Sequence, residues 1–385
     1  MKRICIITGT RAEYGLLKPL IRKVKHDEQL ELKLIVTGMH LSPEFGLTHK
    51  EIEADGFKID EKLEILMSSD TPIGISKSMG LAMISFAECF ARIEPDMIIV
   101  LGDRYEVFSA VSAASVMRIP IAHLYGGETT EGAIDEAFRH SITKMSYLHF
   151  TSTEAYSKRV IQLGEDPLRV FNVGAIGVEN IKTLKLLSKQ EVEEAIGLKL
   201  NGNIALVTFH PVTLESNTTE RQFRNLIRAL DNLEDMKIIF TKSNSDTDGR
   251  IINQMIDKYV NDNKEKAVKF TSMGQLLYLS TMKYADVVIG NSSSGIVEAP
   301  FFEVPTVNIG DRQKGRIQAD SILDCSPNKE DIMNSVRKAL RIKFSGKIKN
   351  INNPYGDGNV SDKIIIKIKE ALESQINIKK RFYDT

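Results

Sequence analysis

Met97-Ile98-Ile99-Val100-Leu101 is an unbroken apolar row, and it limits the fold more than any other feature of the chain. A strand with one wet face alternates apolar and polar residues, whereas a strand covered on both faces does not. Helices give that double cover in a parallel sheet, because each crossover lays one across a face. The rest of the chain keeps the same rhythm. Lys2 to Thr8, Leu32 to Thr37, Ile119 to Leu124, Tyr147 to Ser152 and Arg169 to Val173 read as further strands of a first half. Ile204 to Phe209, Met236 to Thr241, Val268 to Phe270, Ala285 to Ile289 and Pro305 to Ile309 read as strands of a second. Stretches of helical spacing separate them, among them Leu16 to Lys25, Ile75 to Phe90, Val107 to Met117, Thr219 to Asn232 and Asp248 to Tyr259. With right-handed crossovers this predicts an α/β protein of two doubly wound halves. The expected divisions are 1–176, 177–360 and a C-terminal helix within 361–385. That helix carries Ile364, Ile365 and Ile368 on one face and is expected to pack back on the first half.

Composition narrows the function classes. Lysine plus arginine equals aspartate plus glutamate at 51 each, so no charge excess argues for nucleic acid or an anionic membrane. No apolar run approaches the length of a membrane span, and Met1-Lys2-Arg3-Ile4 is expected to enter a strand directly, without a signal peptide. The expected location is cytoplasmic. Three scattered cysteines fit neither a disulfide framework nor a zinc site. No HExxH or clustered histidine pattern implies a metal, and no GxGxxG follows the first strand, so no dinucleotide cofactor is expected.

Strand ends carry the chemistry. In a doubly wound sheet the loops after successive strands open on one crevice. Gly290-Asn291-Ser292-Ser293-Ser294-Gly295 stands between a strand and an expected helix from Ile296 to Phe302, a pattern that suits phosphate, with Glu298 placed for sugar hydroxyls. Gly310-Asp311-Arg312-Gln313-Lys314-Gly315-Arg316 puts three cations after the next strand. Arg11 follows the first strand, within an expected loop from Gly9 to Gly15, and His210 ends the first strand of the second half. Asp103 and Glu128 lie just past two neighbouring strands, and Asp135 and Arg139 are four apart on a helix. Carboxylates gathered there can do acid–base work.

TGTRAEYG, LGDRYEVFSA, GGETTEGAIDEAFRHSITK, FHPVT, GNSSSGIVEAP and GDRQKGR occur in this order. Together they make the chain resemble the UDP-N-acetylglucosamine 2-epimerase family over nearly its whole length. Within it, the likeness is to the hydrolysing branch that serves sialic-acid and legionaminic-acid synthesis. The resemblance implies a glycosyltransferase-B-like fold of two Rossmann-like lobes with a cleft between them, a nucleotide-sugar substrate, a homodimer and no cofactor. It implies nucleotide contacts at Arg11, His210, Asn244, Ser272, Ser292, Ser293, Glu298 and Arg312. It puts the reacting sugar near Asp103, Glu128, Asp135 and Arg139, with His210 also in the catalytic set. The implied reaction converts UDP-N-acetylglucosamine to N-acetylmannosamine plus UDP through a glycal. A branch acting on UDP- or GDP-linked 2,4-diacetamido-trideoxy sugars is the alternative. A glycosyltransferase of the same fold and a non-catalytic nucleotide-sugar binding protein are further alternatives. Which carboxylate is the base stays open.

Overall fold

The computed structural model describes residues 1–385 other than 68, 70, 131–133, 213–217, 234, 244–248, 347, 349–352, 357, 375 and 385. The chain packs as two units. One holds Met1–Glu128, Asp135–Lys182 and Tyr355–Thr385, the other Thr129–Ile134 and Thr183–Pro354.

In the first unit β1 (Lys2–Thr8), β2 (Leu30–Thr37), β3 (Glu61–Leu63), β4 (Met97–Leu101), β5 (Ile121–Leu124), β6 (Leu148–Thr151) and β7 (Val170–Asn172) form one sheet, ordered β3-β2-β1-β4-β5-β6-β7. Every pairing is parallel. The apolar row of β4 splits as its composition demands. Met97, Ile99 and Leu101 enter one core, and Ile98 and Val100 enter the other. β1 does the same with Ile4 and Ile6 against Cys5 and Ile7. Helices Arg11–His26 and Val360–Glu373 roof the first core through Leu17, Leu20, Ile21, Ile364 and Ile368. Helices Pro72–Ile93 and Tyr105–Val116 roof the second through Ala82, Phe86, Phe90, Val107 and Val111. Each such side chain larger than alanine contributes roughly 1.5–3 kcal/mol when fully buried. The C-terminal helix is also fastened by polar bonds: Lys369 Nζ donates to Asp27 at 3.0 Å, and Ser361 N to Glu179 at 2.8 Å.

In the second unit β8 (Asn203–Thr208), β9 (Met236–Thr241), β10 (Ala267–Phe270), β11 (Val287–Gly290), β12 (Thr306–Ile309) and β13 (Ile322–Cys325) form a parallel sheet ordered β10-β9-β8-β11-β12-β13. Strand order reverses between β1 and β4 in one unit and between β8 and β11 in the other. In sheets of this kind ligands bind at the C-terminal ends of the strands, beside such a reversal.

Three sequence expectations change. The stretch from Gly9 to Gly15 is not all loop, because the helix starts at Arg11. Thr10 accepts from Glu13 N, and Glu13 reaches back to the Thr10 amide, a reciprocal cap that starts the helix early. The helix expected over Ile296 to Phe302 is Ser293–Val297 followed by a 3-10 turn, Ala299–Phe302. Pro300 has no N–H for a longer helix and ends it. Among the described residues, helix Pro72–Ile93 is long and apolar enough to cross a membrane by length and composition. Its serines, glycines and Lys77 interrupt the run as read residue by residue, while the helix as a whole still averages apolar.

Candidate active site

The first unit's crevice is built on Arg139, whose side chain is 1% exposed. It projects from helix Asp135–Met145, and three of its contacts tie neighbouring elements together. Nη2 donates to Asp103 Oδ2, just beyond β4. Nη1 donates to Glu136 Oε2 and to the carbonyl of Glu128, both at 2.8 Å. One guanidinium thus ties the loop after β4, the loop after β5 and its own helix together. Such a buried cation is tolerable only with its donors this well matched. Glu128 is itself 1% exposed, and its Oε1 accepts from Ser152 Oγ at 2.7 Å. Asp135 opens the helix that carries Arg139 and is half-buried.

Beneath Asp103 lies His123, which donates from Nε2 to the Gly102 carbonyl at 2.8 Å and accepts from Thr143 Oγ1 at Nδ1. Burial pushes its pKa down to about 3, so it is a neutral strut for the Asp103 turn. Arg11, the first residue of its helix, pairs with Glu51 at 3.5 Å. Glu136 went unnoticed in the sequence. It bridges Arg139 and His140 at 2.8 and 3.0 Å, and its i,i+3 and i,i+4 spacings to them were the available signal.

The second unit's crevice is organised by Asn291, which is fully buried. Its Oδ1 accepts from His210 N at 2.7 Å, and its Nδ2 donates to the His210 carbonyl at 2.8 Å. Its own carbonyl accepts from Arg312 Nη1 at 3.2 Å and from Gln313 Nε2 at 2.9 Å. The loops after β8, β11 and β12 therefore meet at one residue, through its side-chain amide and its backbone carbonyl. His210 Nδ1 lies 3.2 Å from Ser243 Oγ, beyond the end of β9. Ser292 caps the short helix by accepting from Ser294 N at 3.4 Å. A helix of five residues carries little macrodipole. The polar groups gathered at these strand ends are Arg312, His210 and the serine hydroxyls. Glu298 accepts a hydrogen bond from Ser294 Oγ. Burial pushes its pKa up to about 7 against that bond. Ser272 follows β10, the outer strand on the β9 side. Asn244 lies outside the described residues.

β11 ends on Gly290, at φ +138°, where a Cβ would stand 1.8 Å from the Thr208 carbonyl oxygen. Only glycine lets the β8 and β11 loops approach this closely.

A family model described as UDP-N-acetylglucosamine 2-epimerase matches residues 22–369. A Campylobacter jejuni protein named GDP/UDP-N,N'-diacetylbacillosamine 2-epimerase (hydrolyzing) is 48% identical over 330 residues, covering 86% of each chain. The polysialic acid biosynthesis protein P7 of Escherichia coli is 40% identical over 385 residues, 100% of this chain and 98% of that protein. The crystal structure of UDP-GlcNAc 2-epimerase from Neisseria meningitidis bound to UDP-GlcNAc superposes with a TM-score of 0.79 at 18% identity, covering 96% of this chain and 100% of that one. At that identity the likeness is one of fold.

Proposed function

The chain belongs to the UDP-N-acetylglucosamine 2-epimerase family, and on that premise we propose that it is a hydrolysing nucleotide-sugar 2-epimerase. The observation that carries the reading is Arg139, which gathers Asp103, Glu136 and the Glu128 carbonyl at the ends of β4 and β5, beside the first unit's switch point. Asp103, Glu128 and Asp135 are the candidate bases for the sugar's C2 proton. As that proton leaves, the C1–oxygen bond breaks and the nucleoside diphosphate departs with the electron pair, giving a glycal. Water then supplies hydroxyl to C1 and a proton returns to C2 on the opposite face. The products are UDP and a free sugar inverted at C2.

The C2 proton is weakly acidic, so the leaving diphosphate needs strong stabilisation. Arg11, His210, Ser292, Ser293 and Arg312 suit that role, and Glu298 suits the ribose hydroxyls. Asn244 and Ser272 complete the proposed nucleotide set. The sugar is a 2-acetamido hexose. The 48%-identical relative, named for N,N'-diacetylbacillosamine, supports the 2,4-diacetamido-trideoxy form at least as well as N-acetylglucosamine. A second copy of the chain is the proposed partner.

Proton NMR of the sugar released from UDP-GlcNAc and from UDP- and GDP-2,4-diacetamido-2,4,6-trideoxyhexose in deuterated buffer tests the reaction and the sugar. Deuterium at an inverted C2 is the expected result. Protium at C2 with unchanged configuration identifies a direct hydrolase or transferase instead. Binding without turnover on the whole panel identifies a sensor. Asp103→Asn, Glu128→Gln and Asp135→Asn should each lower kcat by about 10²–10⁴-fold if the residue transfers the proton.

A further inference from the structure

Two carboxyl groups outside the proposed chemistry are buried together at the β1–β4 switch point. Glu13, on the first turn of helix Arg11–His26, is 6% exposed, and Glu106, on the first turn of helix Tyr105–Val116, is 1% exposed. Glu13 Oε2 accepts from the Gly9 amide at 2.7 Å and from the Thr10 amide at 3.2 Å. Glu106 Oε1 accepts from Arg104 Nε at 2.7 Å. The remaining oxygens, Glu13 Oε1 and Glu106 Oε2, are buried with no hydrogen-bond partner among the described residues.

Gly9 sits against both groups. A Cβ on it would lie 2.6 Å from Glu106 Cγ, while its own N–H is bonded to Glu13. The next loop contributes no charge to the pair. Gly38 faces Glu106, and both nitrogens of His40 are taken by the hydroxyls of Thr8 and Thr48. Burial pushes His40 down to about 3, so it is neutral. Arg11 and its partner Glu51 are the nearby ion pair on helices Arg11–His26 and His49–Ala54, where His49 bonds the His40 carbonyl. Among the described residues, Arg104 is the cation bonded to this pair, through Glu106.

We propose that Glu13 and Glu106 hold one proton between them, and that this proton positions the Gly9–Arg11 turn against the Asp103–Arg104 turn. Two buried carboxylates sharing a single guanidinium leave one charge uncompensated, which is the costliest arrangement a site like this can adopt. A proton on Glu13 removes that charge. The titration behaviour agrees. Burial first and the Glu106 charge second push Glu13 up to about 8, against Arg104 and the two amides. When the proton leaves to solvent, the two carboxylates repel across Gly9. The turns that carry Arg11 and Asp103 then separate, and turnover falls with kcat rather than KM.

This role rests on the proposed epimerase reading, so the test has one arm that needs turnover and one that does not. In the first, kcat for the nucleotide sugar is followed from pH 7 to pH 9.5 in wild type, Glu13→Gln and Glu106→Gln. Glutamine at 13 keeps the amide contacts and cannot ionise. Wild type is expected to lose about tenfold by pH 9, and Glu13→Gln to stay flat over that range. Glu106→Gln replaces the charge-assisted bond from Arg104 with a neutral one and is expected to lower kcat about tenfold or more with little change in KM. In the second arm, thermal stability is measured against pH without nucleotide. Glu13 binds its proton more tightly folded than unfolded, so wild type should lose stability between pH 6 and pH 9 relative to Glu13→Gln. Parallel stability curves overturn the shared proton whatever the enzyme's substrate. Diverging stability curves with parallel kcat profiles overturn the positioning role. If no sugar turns over, the epimerase reading fails and the stability arm still decides the proton.

Discussion

Arg312 reaches the Asn291 carbonyl with Nη1 at 3.2 Å, and a guanidinium has further N–H groups for a phosphate. Arg312→Ala is expected to weaken UDP binding by about 1.5–3 kcal/mol, the size of a charge-assisted hydrogen bond. Calorimetry on the folded variant reads it directly. Arg312→Lys keeps the charge without the fork and should recover part of the loss. An affinity equal to wild type in Arg312→Ala removes the residue from the site. Glu298 makes a different prediction. Its pKa is raised to about 7, chiefly by burial. A carboxyl raised on folding stabilises fully below its unfolded value, near 4.3, and that contribution is lost as pH rises through the folded value. Wild type should therefore lose up to about 3 kcal/mol between pH 4.5 and pH 8 relative to Glu298→Gln. Urea titrations at the two pH values check this, and equal midpoint shifts in both proteins would refute it.

At the scale of elements, the β8–β11 approach is the feature least able to absorb change. Gly290→Ala would drive a Cβ into the Thr208 carbonyl, 1.8 Å away, at a φ of +138°. Loss of about 3 kcal/mol or more is expected. The chain has no tryptophan, so circular dichroism is the probe of choice, and an unfolding midpoint at the wild-type value would show that the loops can part. The same elements explain what was legible in the sequence. Strands were readable because unbroken apolar rows have few other solutions, and the turns after them stood out as small or charged residues. The start of helix Arg11–His26 was written locally too, as the Thr10-x-x-Glu13 box, but Gly9 and Gly15 drew attention to a loop instead. Glu106 and Asn291 carry no local signal. Their roles come from which strand ends the topology makes neighbours, and β1 with β4 or β8 with β11 are far apart in the chain.

For the whole molecule, the proposed homodimer has a candidate surface on helix Pro72–Ile93. Ile73, Leu81 and Ile84 are 70%, 45% and 62% exposed on it. With Lys77, Gly80, Glu88 and Ala91, also exposed, they recur at three- and four-residue spacing and so form one stripe. A two-fold axis between residues 82 and 83 would set two such helices antiparallel. Leu81 of one copy would then meet Ile84 of the other, and Lys77 would meet Glu88, each contact made twice. An isologous interface requires this kind of self-complementarity, and Gly80 and Ala91 let the helices come close. Sedimentation should find the wild type at twice the 43.1 kDa chain mass. Ile84→Glu, which buries a charge in the seam, should give monomers. Lys77→Glu and Glu88→Lys alone each set like charges together at two symmetric places and should weaken association about tenfold or more. Combined in one chain they restore opposite charges across the axis and should recover most of the affinity. A dimer that survives Ile84→Glu, or charge reversals whose effects simply add, would place the contact on another surface.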